Sequence, residues 1–352
     1  MWQISMDPRF STTPVPAMQM FGYLGGAENV QKFQRLYLPR KYSDLVKQQD
    51  LIILSDTEST LYTVKHITWF SDSVERDGMG LMMVGGRQTL LGEWAGTSVE
   101  EALPGDFLGL ITHEHFAMKS IPVDPESEFA RSLPFEEMPP WAGLIVFTPK
   151  QGATTVLRAS PKNVPILLIH DYGEGSGMIL APDWAGAWTG SCRTWDYWPD
   201  FISNMLHLVS GLKIPQDPAL MHALREHFGD YTVSYGLILS LVDFADKFGA
   251  NTRVLLNRLS ELSDKRSDVN QKYIDQEYEQ ALEGIANLES EMVEVYHVAL
   301  KLKDQALTWV YLTEVTALTG TSLVAGSLVW MLMIKRKLYK EVSTTKPKRM
   351  EY

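Results

Sequence analysis

The first 213 residues alternate short apolar runs with stretches of helical spacing, and this pattern predicts an α/β fold. The apolar run at residues 51–54 ends in Ser55-Asp56, as expected for a buried parallel strand with a polar carboxyl end. Helical spacing at residues 64–76 precedes a second strand at 81–84. Later strands are predicted at residues 144–147, 154–158, 166–170 and 178–180, and a closing helix at 198–208. Strands that alternate with helices predict a mostly parallel, layered sheet.

Beyond Pro215 and Pro218 the apolar spacing is helical throughout. We predict helices near residues 219–228 and 231–248, ended by Gly229 and Gly249, because glycine commonly ends helices. A further helix is predicted from Asn251 to about residue 262, followed by a polar stretch at 263–270. The pattern therefore divides the chain near residue 213.

The last helix carries the most regular pattern in the sequence, an apolar residue every 3.5 positions over about five heptads. Its members are Ile274, Tyr278, Ala281, Ile285, Leu288, Met292, Val295, Ala299, Leu302, Ala306 and Trp309. One interpretation is an oligomeric coiled-coil stalk, and the other is a helix packed against residues 231–262 of its own chain. Leu282, Tyr296 and Val298 widen the stripe beyond a two-stranded seam. We favour packing within the chain, with self-association open on the same helix.

Residues 315–334, which begin at Val315 and end at Ile334, contain no charged side chain. A helix of this length, at ~1.5 Å per residue, crosses the ~30 Å hydrocarbon layer of a bilayer. The basic run Lys335-Arg336-Lys337 follows directly. The alternative of a buried core helix fits this length and this basic end less well. The segment therefore predicts a single transmembrane helix in contact with lipid.

The tail at residues 335–352 holds seven Lys or Arg residues and two Glu residues. The positive-inside rule predicts a cytoplasmic tail and an extracytoplasmic main domain. No apolar signal-peptide core precedes Asp7. Two explanations are open: a start that is truncated or processed, or a tail-anchored protein whose domain lies in the cytoplasm. We favour the first.

Charge and cysteine content exclude several classes of function. The 32 basic and 43 acidic side chains give a net charge of −11, which argues against a general nucleic-acid binder. A single cysteine excludes an intrachain disulfide framework and a structural zinc site built on cysteines. It also allows at most one cysteine nucleophile.

Four motifs follow one another at residues 50–104: DLIILSD (50–56), DGMGLMMVGG (77–86), GEWAGT (92–97) and EEALP (100–104). Together they resemble the glutamine amidotransferase-like domain family, and the similarity covers about residues 20–211. Residues 299–339 also resemble the membrane-anchored ends of some archaeal and bacterial members. The resemblance implies a class I amidotransferase-like, flavodoxin-like fold.

The chemistry that this resemblance implies is a cysteine at a tight strand-to-helix turn, activated by a histidine–glutamate pair. Here the strand at residues 81–84 ends in Gly85-Gly86-Arg87, with no thiol or hydroxyl at the turn. The only cysteine, Cys192, lies far along the chain, and the region expected to carry the histidine reads AGAW at 185–188. We therefore expect no working glutaminase, no catalytic residue from that triad and no cofactor.

A ligand site is predicted where the strands end. Gly85, Gly86 and Arg87 lie where a flavodoxin-like sheet binds ligands, and Asp56 and Glu58 would line the same crevice. The alternative is that the glycines only permit a tight turn. An acidic pair there also suits general acid and base catalysis, so a hydrolase-like enzyme is the alternative function.

Two further groups of residues carry candidate roles. His113 and His115 would share one face of a strand and hold a metal ion, although solvated histidines on an edge strand are the interpretation we favour. A dense aromatic cluster predicts either an exposed interface or core beneath a loop, and we favour core. Its tryptophans are Trp184, Trp188, Trp195 and Trp198.

The sequence thus predicts four parts. An amidotransferase-like α/β domain at residues 1–213 precedes a helical or coiled-coil region at 214–308, a transmembrane helix at 309–334 and a basic tail at 335–352. The predicted function is a non-catalytic, membrane-anchored binding or scaffolding protein. It would act as a homo-oligomer or as a subunit of a larger membrane assembly, without nucleic acid.

Overall fold

The structure is a computed structural model that describes Ile4 and residues 7–15, 27–87, 89, 93–107, 112–114, 117–184, 186 and 188–343. The chain forms two compact units. Unit 1 comprises Met1–Gly229 and Asn270–Glu283, and unit 2 comprises Asp230–Val269 and Gly284–Tyr352. Unit 1 therefore extends past the boundary predicted near residue 213.

Unit 1 is built on a mixed β-sheet. Its strands are β1 (Leu51–Ser55), β2 (Gly80–Val84), β3 (Gly105–Asp106), β4 (Thr112–Glu114), β5 (Lys119–Pro122), β6 (Leu144–Val146), β7 (Thr148–Pro149), β8 (Thr154–Ser160), β9 (Val164–Tyr172) and β10 (Gly175–Leu180). Six of them form one sheet in the order β1-β2-β10-β9-β8-β5. β1, β2 and β10 run parallel, whereas β9, β8 and β5 continue the sheet in antiparallel pairs. The short pairs β3–β7 and β4–β6 are separate from it.

The predicted α/β class is confirmed, and parallel pairing holds for the neighbouring strands β1, β2 and β10. The antiparallel pairing of β9 with β10 has a local cause, the short turn between them. β9 and β10 are joined by Gly173-Glu174, with Gly173 in the left-handed region at φ 63°. Parallel strands need a crossover of a dozen residues or more, so this short turn imposes a hairpin.

The described part of the chain before residue 210 contains six α-helices, of which helical spacing predicted two, at residues 64–76 and 198–208. They are α1 (Ala27–Tyr37), α2 (Tyr42–Gln48), α3 (Val64–Asp77), α4 (Ser98–Ala102), α5 (Glu128–Arg131) and α6 (Trp198–Val209). In α3, Thr63 Oγ1 accepts the His66 backbone N–H at 3.2 Å, and Gly78 at φ 73° ends the helix. These are favourable capping residues at both ends, which explains why sequence pattern located α3 so closely.

One hydrophobic core holds unit 1 together. Every residue of β2 is buried, because both faces of this central strand are covered. α3 and α6 pack on the sheet and contribute Phe70, Val74, Phe201 and Met205 to the core. Each fully buried apolar side chain of this size contributes about 1.5–3 kcal/mol relative to exposure. This core fixes the strand ends that carry the candidate site.

The remaining chain forms three long helices, α7 (Pro218–Lys247), α8 (Arg253–Ile274) and α9 (Tyr278–Ser343). The predicted helix end at Gly229 is wrong, because α7 continues through it. A glycine inside a helix costs only about 1 kcal/mol, and burial of Phe228 and Tyr231 on either side offsets that cost.

The polar stretch at residues 263–270 is also helical, contrary to prediction. Within unit 2, Lys265 Nζ lies 2.6 Å from the Glu291 carboxylate. Arg266 donates to Thr232 Oγ1 at 3.2 Å and lies over the Tyr231 ring. These contacts with α7 and α9 give the polar residues partners, so the helix does not end there.

Most of the predicted heptad stripe is buried within the single chain, but its two ends are not. Ile274 belongs to the end of α8 and is 45% exposed, and Trp309 is 65% exposed. Ala281, Ile285, Leu288, Met292, Val295, Ala299 and Ala306 are each at most 3% exposed. Inward residues of α7 and α8, such as Ile238 and Leu259, are buried as well. Most of the stripe therefore faces the protein interior, which corresponds to the favoured interpretation of packing within the chain.

The second half of α9 has a different environment. The helix from Tyr278 to Tyr339 contains a stretch with a mean hydropathy of 1.7, none of which is buried. Leu318, Leu323 and Trp330 are 67–74% exposed. This helix is long and apolar enough to cross a membrane, and it continues without a break from the buried heptads.

Candidate functional site at the carboxyl ends of the parallel strands

The carboxyl ends of β1, β2 and β10 meet at one edge of the sheet. Ser55 pairs with Val84, and Leu180 pairs with Val84 from the other side. The loops that leave these strands therefore start side by side, with Asp56 after β1, Gly85 after β2 and Asp183 after β10. This edge is where open sheets with parallel strands commonly bind ligands.

The turn after β2 is closely packed by its neighbours. The Gly85 N–H donates to the Leu180 carbonyl at 2.7 Å. A Cβ added to Gly85 would lie 2.0 Å from the Ala181 carbonyl oxygen, and one added to Gly86 would lie 2.2 Å from the Asp56 carboxylate. Gly86 also has φ 146°. Both glycines are thus required by close approach, and neither position has room for a side chain.

Asp56 lies at the centre of this edge. Its backbone has φ 43°, an uncommon conformation for a residue other than glycine, and its N–H donates to the Val84 carbonyl at 3.2 Å. Asp56 Oδ1 accepts the Thr89 backbone N–H at 3.1 Å. The buried Thr89 hydroxyl in turn donates to the Val84 carbonyl at 3.0 Å. The Asp56 carboxylate therefore holds the turn after β2 in place.

A second carboxylate organises the loop after β10. Asp183 Oδ1 accepts the Thr189 N–H at 2.7 Å and the Thr189 hydroxyl at 2.6 Å, and Oδ2 accepts the Trp188 N–H at 3.3 Å. Trp184 Nε1 donates to Ser55 Oγ at 2.8 Å. The loop is thereby joined to the end of β1, and Trp184 lies next to the Asp56 strand end.

The structure brings together only some of the predicted ligand-site residues. Asp56 and Gly86 are in contact, and Gly85 is adjacent to both. Glu58 is half-buried and accepts the Thr60 hydroxyl at 3.4 Å, and Arg87 is exposed. Half-exposed Ser55, Asp56 and Trp184 give this edge a hydroxyl, a carboxylate and an aromatic ring, which suits recognition of a polar ligand.

Cys192 is fully buried in a 3₁₀ segment, Gly190–Thr194. Its thiol donates to the Pro139 carbonyl at 3.0 Å. Burial raises the pKa of Cys192 to about 12. The thiol is therefore protonated near neutral pH, and it lacks the thiolate character of a nucleophile.

The predicted metal residues lie at the margin of what the structure describes. The backbone of His113 is in β4, but its side chain and all of His115 fall outside the described residues. Among the residues that the structure does describe, His, Cys, Asp and Glu side chains form no group of three or more able to hold a metal ion. The metal site stays a prediction.

The tryptophan cluster divides into two pairs. Trp195 and Trp198 are 6% and 1% exposed, and both pack against Phe201 in the core. These two rings therefore belong to the core, which is the interpretation favoured for the cluster, and not to an exposed interface. Trp184 and Trp188 are half-buried and remain at the surface of the loop after β10.

Sequence reasoning missed a buried polar cluster formed by Asp7, Asp200, Asn204 and Arg225, here called the Arg225 cluster. Arg225 is 1% exposed, and its guanidinium lies 3.3 Å from Asp7 Oδ2, 2.8 Å from Asp200 Oδ1 and 3.2 Å from Asn204 Oδ1. Arg225 follows Leu224 on the buried face of α7. In the sequence, the one sign of this cluster was a single arginine among apolar positions on the buried face of a helix.

Electrostatics in the Arg225 cluster favour the charged forms. Burial alone would raise the pKa of Asp7, but Arg225 and His207 together with hydrogen bonds hold it below its ordinary value. A hydrogen bond with Asp200, Nδ1 to Oδ2 at 2.9 Å, raises the pKa of His222. These groups fix the chain near the N-terminus, α6 and the start of α7 to one another, so the role of the cluster is structural.

No protein-family model and no curated protein matches this sequence. Two proteins from Salmonella are among the solved structures to which this chain is similar. The cytoplasmic protein STM1381 from Salmonella typhimurium LT2 is 22% identical, with a TM-score of 0.44 over 49% of this chain and 76% of that chain. The cytoplasmic protein STM3548 from Salmonella typhimurium is 19% identical, with a TM-score of 0.46 over 59% of this chain and 85% of that chain. Neither similarity carries a function over to this chain.

Proposed function

We propose that this chain is a single-pass membrane protein whose glutamine amidotransferase-like, flavodoxin-like domain serves as a binding or scaffolding module and not as a glutaminase. The observation that carries the proposal is the exposed apolar half of α9, which continues without a break from a buried helical stripe. The membrane helix covers residues 315–334, and the basic tail follows it.

Hydrogen bonding within this segment supports a lipid environment. The hydroxyls of Thr316, Thr319, Thr321 and Ser327 donate to the carbonyls four residues earlier, at 2.7–2.8 Å. In a bilayer core each unsatisfied polar group costs several kcal/mol, so such internal bonds remove most of that cost. In water, by contrast, a continuous apolar surface of this size would promote aggregation.

The proposed orientation follows from charge. Lys335, Arg336 and Lys337 lie directly after the span, whereas Glu314 precedes it. Basic residues next to a span are retained on the cytoplasmic side, which places unit 1 outside the cytoplasm. Protease added to intact cells should then digest unit 1, while protection of unit 1 would favour the tail-anchored alternative.

The lack of glutaminase chemistry is supported by the turn after β2. Neither Gly85 nor Gly86 has room for the Cβ that a nucleophile requires, and the buried Cys192 thiol is protonated. Cys192→Ser should therefore leave any measured activity unchanged. Release of ammonia from glutamine by the purified protein, lost in Cys192→Ser, would overturn this part of the proposal.

A scaffold needs partners, and the membrane helix has a free face for them. Gly320 and Gly326 have no atom within 4 Å of an added Cβ, so nothing in the described chain covers them. Small residues at Thr316-x-x-x-Gly320 and Ser322-x-x-x-Gly326 allow close approach of a second helix in lipid. Gly320→Leu should thus leave the fold intact but weaken crosslinking to copies of the chain or to other membrane subunits.

Membrane fractionation tests the proposal. The full chain should stay in the membrane after alkaline extraction, and deletion of residues 308–352 should release a soluble protein. Val324→Arg should weaken retention, because an arginine at the centre of a span costs about 2.5–3.5 kcal/mol on insertion. Val293→Arg is the matched control, since Val293 is exposed but precedes the span. A truncated protein that stays in the membrane would contradict the single anchor.

A further inference from the structure

The turn between α8 and α9 is part of unit 1, which includes Asn270–Glu283. Gln276, at φ 66°, reverses the chain between the two helices. Tyr273 is fully buried, and its ring lies edge-on to Phe228 with 5.5 Å between the centroids. Both helices continue from this turn into unit 2, so whatever holds the turn also fixes where α8 ends and α9 begins.

Arg9, near the N-terminus, holds this turn. Its Nη2 group donates to the Ile274 carbonyl at 3.3 Å, to the Tyr273 carbonyl at 3.5 Å and to the Tyr278 hydroxyl at 3.2 Å. The guanidinium also lies over the Tyr273 ring, 5.5 Å from its centroid. The last carbonyls of a helix lack partners within the helix, and a cation there is favoured by the helix dipole. Arg9 therefore joins the end of α8 to the start of α9.

His207 of α6 contacts the other side of the Arg9 guanidinium. Its Nδ1 atom lies 2.8 Å from the Ser203 carbonyl oxygen, and its Nε2 atom lies 3.4 Å from Arg9 Nη1. A carbonyl only accepts hydrogen bonds and a guanidinium only donates them. Nδ1 must therefore donate and Nε2 must accept, which is possible only for the neutral ring with its proton on Nδ1. The ring is fully buried, and Phe10 packs edge-on against it at 5.1 Å.

Protonation of His207 is incompatible with this arrangement. A proton on Nε2 would point at Arg9, which has no acceptor for it, so the hydrogen bond between the two side chains would be lost. Two positive charges would then lie against each other in a buried place, where water screens them little. The position of Arg9 on the turn therefore requires a neutral His207.

The charged and titratable groups around this contact come from the N-terminal segment and from three helices. They are Asp7 and Arg9 before α1, Arg225 on α7, and Tyr273 and Tyr278 on α8 and α9. Asp7 favours a proton on His207, but its carboxylate already pairs with Arg225 at 3.3 Å. Burial outweighs Asp7, with Arg225 and Arg9 acting in the same direction as burial, and the pKa of His207 is lowered.

We propose that His207 and Arg9 form a proton-sensitive latch on the turn between α8 and α9. While the ring is neutral, Arg9 stays on the carbonyls of α8 and holds the turn in unit 1. When the ring takes up a proton, Arg9 leaves these carbonyls and residues 270–283 loosen, while the sheet stays folded. The latch is closed above pH 6.5, the ordinary pKa of histidine, and opens as the pH falls below it, because the open form binds the proton more tightly. It depends neither on the membrane anchor nor on the strand edge.

Hydrogen exchange of the full chain in neutral detergent micelles tests the latch, at pH values about one unit above and one unit below 6.5 and corrected for the intrinsic pH dependence of exchange. Residues 270–283 report the turn, and the fully buried strand β2 reports whether unit 1 is folded. His207→Gln keeps an acceptor oxygen for Arg9 but cannot take up a proton. Arg9→Gln removes the cation, and Arg76→Gln is the matched control at an exposed arginine of α3.

In the unaltered chain and in Arg76→Gln, protection of residues 270–283 should fall about tenfold or more at the acidic pH, while β2 keeps its protection. His207→Gln should stay protected at both pH values, and Arg9→Gln should be weakly protected at both. If His207→Gln also loses β2 protection, Arg9→Gln decides, since its turn should no longer respond to pH. Equal protection of the turn at both pH values in the unaltered chain would overturn the proposal. So would an acid-induced loss that persists in folded His207→Gln, or one that extends to β2.

Discussion

The Asp7 carboxylate and the Arg225 guanidinium are both buried in unit 1, with Oδ2 3.3 Å from Nη2. Asp7 also accepts the Ser203 hydroxyl of α6 and the Arg9 N–H. The pair therefore joins three parts of the chain that are far apart in sequence. Because both charges are removed from water, each depends on the other for compensation.

Arg225→Met should lower the free energy of unfolding of unit 1 by about 3–5 kcal/mol, because it leaves Asp7 and Asp200 as buried charges without their cation. Tryptophan fluorescence during urea unfolding measures this, since most tryptophans precede Gly229. The control is Arg76→Gln, which breaks an exposed pair with Asp72 and should cost at most about 0.5 kcal/mol.

The double variant Asp7→Asn with Arg225→Met separates pairing from packing. It should cost clearly less than the sum of the two single variants, because the second substitution removes a charge that the first has left unpaired. If the loss of unfolding free energy in the double variant equals the sum of the two single losses, the charges are not paired. Arg225 would then stabilise unit 1 through the packing of its aliphatic stem.

The His222–Asp200 hydrogen bond should make stability depend on pH near neutrality. It raises the pKa of His222 above its ordinary 6.5, with Glu226 and Asp196 adding to the effect. The stabilisation is therefore fully present below pH 6.5 and is lost as the pH rises through the raised folded-state pKa. Melting temperatures of the unaltered chain and of His222→Asn should differ most on the acidic side and converge at alkaline pH.

A stability that rises with pH, instead of falling, would identify a titrating group other than His222. Burial lowers the pKa of His207, so its protonation destabilises the fold as the pH falls below 6.5. A difference between the unaltered chain and His222→Asn that grows with rising pH would contradict the assigned role of His222. His207→Asn provides the comparison that separates the two histidines.

The sequence pattern was sufficient to predict an element where the residues that determine it are close together in sequence. Thr63 and Gly78 bound α3, and the alternation of apolar runs located the main strands. The turn at Gly85-Gly86 was also predictable, since adjacent glycines after a buried strand indicate close approach. The sequence pattern did not contain the reason for the close approach, which is that the Asp56 carboxylate occupies the space where a Cβ on Gly86 would lie.

Long-range pairing accounts for the errors. α7 passes through Gly229 because burial on both sides outweighs a local penalty, and residues 263–270 stay helical through contacts with α7 and α9. The Arg225 cluster joins residues about 200 positions apart, and no spacing rule links them.

Gly85→Ala should destabilise unit 1 by about 1–3 kcal/mol or more, because its Cβ would lie 2.0 Å from the Ala181 carbonyl oxygen and backbone must move. Urea unfolding measures the loss. Gly236→Ala is the control, since it lies in α7 with open space around it and should stabilise by about 0.5–1 kcal/mol. A neutral Gly85→Ala would mean that the turn has room for a side chain, and the argument against a nucleophile there would fail.

Ile285→Ala should lower the stability of unit 2 by about 2–5 kcal/mol, because Ile285 is fully buried in the heptad stripe and its truncation leaves a cavity. Val293→Ala, on the exposed side of the same helix, should stay within about 0.5 kcal/mol. If the stripe packs within the chain, the melting temperatures of both proteins are independent of protein concentration in detergent. A concentration-dependent melting temperature that disappears in Ile285→Ala would instead indicate that the stripe joins separate chains, and the coiled-coil stalk would replace the intramolecular bundle.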